Sequence, residues 1–285
     1  MFAKKFFYGV LALVLVVPGL GLLAVPANAA TDPISVVRAY LDAYNAGDID
    51  GAMGYVADNA IFLNPTGAYL GKARVRENLE AIKKDGFAFE YSNLVNVQGR
   101  VVYSYKVIIG GVSVETGDGG LTIVRGDKIV FDGTTDTEKD WAPAVVKAYY
   151  DAYNAGDLDL AASYLADDVI FINPTGTHQG KDAARTNLEA IKKDGLRFDI
   201  FDLKNTNGRV QYSYKVNIAG ETVETGTGGL TTVKNGLIVF DGTTETEAQL
   251  PTTGAESLMN ALWLAAVIGA MLIALGAFLL KLRIA

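Results

Sequence analysis

The sequence predicts an α+β fold written twice in tandem. Three observations carry this. The chain repeats itself at a constant offset of 109 residues. Each copy reads helices first and strands afterwards. The strand-like runs alternate apolar and polar side chains, which marks an antiparallel sheet with one covered face.

The repeat is visible by eye. Asp42 to Asp48 (DAYNAGD) recurs as Asp151 to Asp157, and Asn64 to Gly67 (NPTG) as Asn173 to Gly176. Asn78 to Gly86 recurs as Asn187 to Gly195, and Ile129 to Thr135 as Ile238 to Thr244. Roughly three-fifths of aligned positions are identical, so the duplication is recent. A period of 109 is too long for a solenoid, so each copy is a domain. Length agrees: 285 residues at about 150 per domain gives two. The expected domains are 30–139 and 143–249, joined by a short segment that brings them into contact.

Within a copy, Val36, Val37, Tyr40, Leu41 and Tyr44 fall on one helical face. Gly47 stops that helix, and Asp48 caps a second, short one. Ala60 to Leu63 reads as a short strand ended by the Asn-Pro-Thr-Gly turn. A third helix over 74–84 closes at Gly86, its C′ residue. Four strand-like runs follow, over 87–95, 100–109, 112–124 and 128–135. In the second of them Val101, Tyr103, Tyr105, Val107 and Ile109 share one face. The Gly-Asp-Gly-Gly run from Gly117 to Gly120 leads into no helix, so it is a kink in a curved sheet rather than a phosphate loop.

The two ends read as addresses. Lys4 and Lys5, an apolar run from Phe6 to Val25 and small residues up to Ala29 have the layout of a signal peptide over 1–29. At the other end, region 250–285, Leu-Pro-Thr-Thr-Gly precedes an apolar stretch over 262–280 and then Lys281 and Arg283. That stretch is long enough to form a membrane-spanning helix. The order resembles the cell-wall sorting signal of Gram-positive surface proteins, in which a sortase cuts between Thr and Gly, here Thr253 and Gly254. A plain single-span anchor is the alternative. Either way the soluble part is expected outside, at the membrane or the wall, and a sortase is a candidate partner.

Composition excludes several chemistries. There is no Cys and only one His, His178. Disulfides, thiolate nucleophiles and Cys-ligated metals are absent, and a His triad has no material. We therefore expect no metal and no cofactor. Net charge is −7 and no basic run occurs, so nucleic-acid binding is not expected.

By order and spacing, the VVxxY, YNAGDxD and NPxG patterns of each copy resemble the nuclear-transport-factor-2-like superfamily, nearest its ketosteroid-isomerase-like and SnoaL-like branches. The resemblance implies a cone in each copy, a curved antiparallel sheet wrapped on three helices with an apolar pocket inside. It also places the isomerase tyrosine on Tyr40 and Tyr149. The general-base position falls on Asn64 and Asn173, and an amide is no base. The second oxyanion donor falls on or near Gly119 and Gly228, which have no side chain to donate. No catalytic residue is therefore assigned, and the reading leans away from an enzyme.

The candidate pocket residues are Tyr40, Asn64, Tyr103, Tyr105 and Asp132, with Tyr149, Asn173, Tyr212, Tyr214 and Asp241 in the second copy. Asn64 and Asn173 either face the pocket or cap their turn through an Asx hydrogen bond. The tyrosines either line a cavity or serve as core aromatics. Asp132 and Asp241 stand mid-strand, where Asp is disfavoured, and mark a ligand contact or a bulge. Glu115 and Glu224 are expected in solvent, and His178 at a rim. The copies differ at 68–70 against 177–179 and at 112–113 against 221–222, where selectivity could diverge.

The functional expectation is an exported, surface-anchored pair of cones binding a small apolar or mixed ligand without catalysis. An isomerase, cyclase or hydratase working through Asp132 and Asp241 is the second reading. A structural module is the third, with the copies paired through their sheets as an intramolecular pseudo-dimer, or as a homo-oligomer.

Overall fold

The structure, a computed structural model, describes residues 31–250. The first repeat runs α1 (Pro33–Ala46), α2 (Ile49–Gly54), β1 (Val56–Asn64), β2 (Gly67–Leu70), α3 (Lys72–Lys84), β3 (Phe87–Val97), β4 (Arg100–Ile109), β5 (Val112–Arg125) and β6 (Lys128–Thr134). After a 3-10 turn over Thr137–Asp140, the second repeats this order. It runs α4 (Trp141–Ala155), α5 (Leu158–Ser163), β7 (Leu165–Asn173), β8 (Gly176–Gln179), α6 (Lys181–Lys193), β9 (Leu196–Thr206), β10 (Arg209–Ile218), β11 (Glu221–Lys234) and β12 (Leu237–Thr243). A short α7 (Thr244–Ala248) follows.

Each repeat is therefore α+β, with a six-stranded sheet and its own helices. The sheets have the order β2-β1-β6-β5-β4-β3 and β8-β7-β12-β11-β10-β9. One expectation needs correction: the sheets are mixed, not antiparallel throughout. β1 pairs with β6, and β7 with β12, in parallel. The helices and strands between them return the chain to the same end of the sheet, as a parallel pairing requires. The short strands β2 and β8 were also not expected. They fold back on β1 and β7 immediately after the Asn-Pro-Thr-Gly turn.

The DAYNAGD motif builds the joint between helix and sheet. Gly47 takes φ 83°, the left-handed conformation that ends α1. Asp48 accepts from the Gly51 N–H at 2.8 Å and caps α2. Asn45 pairs with the Phe89 backbone like an added strand residue, donating to its carbonyl at 2.7 Å and accepting from its N–H at 3.1 Å. Tyr44 donates to the Phe87 carbonyl at 3.2 Å. Asn154, Tyr153 and Asp157 repeat these contacts in the second copy. This duplicated segment is thus a structural clamp of α1 on β3.

The two repeats share packing. Ala60 and Phe62 of β1 join the first repeat's inner core with Val36, Val37, Tyr40 and Leu79. The alternate residues Ile61 and Leu63, with Leu121, Ile123 and Phe131, join instead the cluster around the second repeat's helices. There Ala144, Ala148 and Ala152 of α4 are buried, a stripe of small residues one turn apart. Asn59 donates to the Ser163 carbonyl at 2.7 Å across the joint. Trp141 packs on Phe131 with ring centroids 5.1 Å apart, and Arg125 lies over its ring. The contact joins unlike faces, the sheet of one repeat and the helices of the other. It is not the symmetric sheet-to-sheet pairing expected for a pseudo-dimer.

Among the described residues no helix is long and apolar enough to cross a membrane. The signal peptide over 1–29, the Thr253–Gly254 bond and the apolar stretch over 262–280 lie outside the described residues.

Candidate functional site

A buried carboxyl sits inside each cone. Asp132 enters from β6 beside the parallel partner β1, opposite Phe62. Thr122 of β5 donates to its Oδ1 at 2.5 Å, and the Tyr103 hydroxyl of β4 donates to the same oxygen at 3.2 Å. Among the described residues no hydrogen bond reaches Oδ2. Tyr91 of β3 lies flat on Tyr103, centroids 4.0 Å apart and 18° between planes. Tyr40 of α1 is buried close enough to Asp132 for the carboxylate to oppose its ionisation.

The local sequence explains this arrangement. A register shift in the β4–β5 ladder, between Tyr103 and Tyr105, falls at the Gly-Asp-Gly-Gly run, so the expected kink is a β-bulge. Gly120 lies directly beneath the Tyr103 ring, and a Cβ there would stand 2.3 Å from it. Glycine opposite tyrosine therefore gives the ring room to lie along the sheet towards Asp132.

Burial sets the electrostatics. Desolvation pushes the Asp132 carboxyl up from 3.8 to about 6, partly opposed by the Thr122 and Tyr103 hydrogen bonds. Asp132 lies deep in the cone, yet part of its surface still reaches solvent. Burial, aided by the Asp132 charge, holds the Tyr40, Tyr91 and Tyr103 hydroxyls protonated far above their usual range. They are donors or dipoles here, not bases.

In the second cone Thr231 donates to Asp241 Oδ1 at 2.6 Å, and Tyr212 at 3.3 Å. Tyr150 of α4 adds itself, 3.2 Å from Oδ1 and 3.4 Å from Oδ2, with its hydroxyl 2.7 Å from that of Tyr212. Asp241 is 2% exposed, and desolvation raises it to about 6 as well. The buried Tyr149 lies beside it, its ionisation opposed by the Asp241 charge.

The candidate residues thus divide. Tyr40, Tyr103 and Asp132 come together, as do Tyr149, Tyr212 and Asp241. Tyr105 and Tyr214 do not join them, because their hydroxyls donate to the exposed Glu115 and Glu224 at 3.0 and 2.9 Å. Asn64 and Asn173 cap their turns: Asn64 Oδ1 accepts from the Thr66 N–H at 3.0 Å, and its amide donates to the buried Asn78. Asn173 does the same with Thr175 and Asn187. His178 stands on β8, 3.1 Å from Thr175 Oγ1, where its counterpart Tyr69 on β2 meets Thr66.

Two residues escaped the sequence reading. Tyr150 stands where the first repeat has Leu41, and Tyr91 where the second has Ile200. Each is a hydroxyl gained at an apolar position, and that was the available signal. The differences noted at 112–113 lie at the start of β5, and those at 68–70 on β2, where Tyr69 stands opposite Phe62, the residue that Asp132 faces from the other side. Asp118, beside Gly119, is exposed, and Thr227 stands in its place beside Gly228; the acid that reaches each interior comes from the last strand.

A depression on the second repeat is bounded by Asp202, Leu203, Lys204, Gln211 and Thr244, with the buried Tyr212 in its wall. Asp202, Lys204 and Gln211 there are exposed. Among the described residues no cluster of three or more His, Asp or Glu could hold a metal ion.

Fold and interior together define a tandem pair of α+β cones, each with a carboxyl–tyrosine centre. The chain belongs to the SnoaL-like domain family, matched twice, over residues 37–135 and 146–240. Among solved structures it is similar to a polyketide cyclase candidate from Sinorhizobium meliloti, at 26% identity over 34% of this chain and 91% of that one, TM-score 0.32. A second such candidate, from Xanthomonas campestris, shares 27% identity over 36% of this chain and 87% of that one, TM-score 0.30. An epoxide hydrolase of M. tuberculosis shares 21% over 36% and 80%, TM-score 0.31. No protein with a curated description matches the chain.

Proposed function

We propose that the chain is exported, held at the cell surface by its C-terminal region, and binds a small molecule of mixed polarity inside a cone. One observation carries the binding reading. Asp132 has an oxygen without a hydrogen bond among the described residues, inside a wall of tyrosine rings. A desolvated carboxyl costs folding free energy unless its lone pairs are satisfied. A ligand that donates to Oδ2 recovers part of that cost, and its apolar body is covered by the rings.

The test is a thermal-shift screen of the full chain in detergent against steroid-like, polyketide-like and lipid-like compounds. A ligand at a hundred times its Kd stabilises by about 2.7 kcal/mol. Binding through the carboxyl requires the shift to fall at least tenfold in apparent affinity in Asp132→Asn. Absence of a shift from every class moves the reading to a structural module.

The enzyme reading has one observation in its favour: a carboxyl near 6 can hold and release a proton around neutral pH. It requires turnover of a compound found in the screen, lost in Asp132→Asn. Binding without turnover retires it. Export and anchoring have their own readout, the intact mass of chain released from a Gram-positive host's surface. Cleavage of the leader predicts a start at Ala30, and sortase processing predicts an end at Thr253. A membrane-bound chain retaining residues 254–285 is the plain anchor.

A further inference from the structure

The two cones differ at one pair of aligned positions that matters for access. In the second, the Tyr150 phenol stands between Tyr212 and Asp241, and both carboxylate oxygens have it as a neighbour. In the first, the aligned residue is Leu41, which has no polar atom to offer. Asp132 is correspondingly the more exposed of the two carboxyls, and hydrogen bonds reach only its Oδ1.

We propose that only the first cone holds a ligand-accessible site, for a compact cyclic molecule whose hydroxyl donates to Asp132. Tyr150 fills the equivalent place in the second cone with its own phenol. The inference rests on the binding reading above and adds which cone binds and what group it recognises.

The internal phenol defines the chemistry. Its hydroxyl sits 2.7 Å from the Tyr212 hydroxyl and 3.2 Å from Asp241 Oδ1. A ligand hydroxyl entering the first cone meets the same pair, Tyr103 and Asp132. Tyr91 lies parallel to Tyr103, near enough to feel the Tyr103 hydroxyl and the Asp132 charge, but among the described residues its hydroxyl makes no hydrogen bond to Asp132. It provides a flat aromatic wall instead. The second cone has Ile200 there, so it has the plug and lacks the wall.

Access can be read without knowing the ligand. Dicyclohexylcarbodiimide enters apolar pockets and reacts with protonated carboxyls. The acid proton goes to one nitrogen while the carboxylate oxygen bonds to the central carbon. Migration of the acyl group to nitrogen leaves a stable N-acylurea that keeps every atom of both reactants. The full chain in detergent is labelled at pH 6, where a large fraction of both carboxyls is protonated, and the peptides are read by mass spectrometry.

We expect Asp132 to be labelled at least tenfold faster than Asp241 in the unaltered chain, a comparison that needs no variant to fold. Tyr150→Leu should bring Asp241 up to the rate of Asp132, and Leu41→Tyr should protect Asp132. Equal labelling, faster labelling of Asp241 or no labelling of Asp132 overturns the proposal. The ligand class is tested separately with p-cresol, the free form of the tyrosine side chain, by equilibrium dialysis. One site per chain is expected, two in Tyr150→Leu and none in Leu41→Tyr. Unequal labelling without p-cresol binding leaves the difference in access standing and overturns the hydroxyl ligand.

Discussion

At the scale of single residues, two aspartates do opposite things for stability and for chemistry. Each has its folded value raised from 3.8 to about 6. A raised carboxyl holds its proton more tightly folded than unfolded. The folded state is therefore favoured most below about pH 4, and the advantage declines as pH rises to about 6. Two units correspond to about 3 kcal/mol per group, and less for Asp132 because solvent reaches it. We expect Asp241→Asn to raise stability at pH 7 by about 2 kcal/mol and to flatten the slope between pH 4 and 6. Urea unfolding at both ends of that range measures it, and an unchanged slope would show that Asp241 is not the source. The Asn oxygen still accepts from Thr231, so the network survives the change. The position of Asp132 and Asp241 in mid-strand announced an unusual role in the sequence. Tyr103 and Tyr212 stood among the candidates as well, but their pairing with the carboxyls and the part of Thr122 and Thr231 did not announce themselves, because these residues arrive from neighbouring strands and register is invisible in a single chain.

At the scale of elements, the two kinds of device differ in how local they are. Gly47, Asp48 and the Asn-Pro-Thr-Gly turn act within a few residues, and all were legible. We expect Asp48→Ala to cost about 1 kcal/mol through loss of the α2 cap, read by thermal unfolding. The aromatic–glycine pairs act across strands. Gly120 beneath Tyr103 and Gly229 beneath Tyr212 leave no space for a methyl group. Gly120→Ala should therefore cost about 1–3 kcal/mol and displace Tyr103 from Asp132. A second signature checks the displacement: the Asp132 carboxyl, relieved of one donor, should titrate higher by NMR. The parallel pairing of β1 with β6 could not be read at all. Its partners stand some seventy residues apart, and nothing local specifies them. An antiparallel ladder such as β4–β5, by contrast, is bounded by its own turn at Gly110 and Gly111.

At the scale of the whole molecule, the repeats are coupled through Trp141, which touches Phe131 and Arg125 of the first repeat and lies against Gly236 of the second. Removing a partly buried Trp costs about 3 kcal/mol. We expect Trp141→Ala to split a single calorimetric transition into two, and a single transition at lower temperature would place the coupling elsewhere. The duplication was plain in the sequence, and so was contact across a short joint. The manner of contact was not, since near-identical copies suggest a symmetric pair. One substitution marks the asymmetry, Ser35 against Ala144, and the other positions differ in burial alone. Ser35, Ala39 and Ala43 of α1 stay at least partly exposed, whereas the aligned Ala144, Ala148 and Ala152 are buried against the first repeat.

Joining unlike faces gives the pair a direction. A symmetric pair is complete at two, but a sheet-to-helix contact can in principle be extended by every further duplication, each new module seated on the one before. Where the first repeat presents Val102 and Ile123 towards its neighbour, the second has an exposed Gln211 and a Thr232 whose hydroxyl is buried. The open face of the second repeat is thus less apolar at these two positions than the face the first repeat covers, as suits a module with nothing seated on it among the described residues.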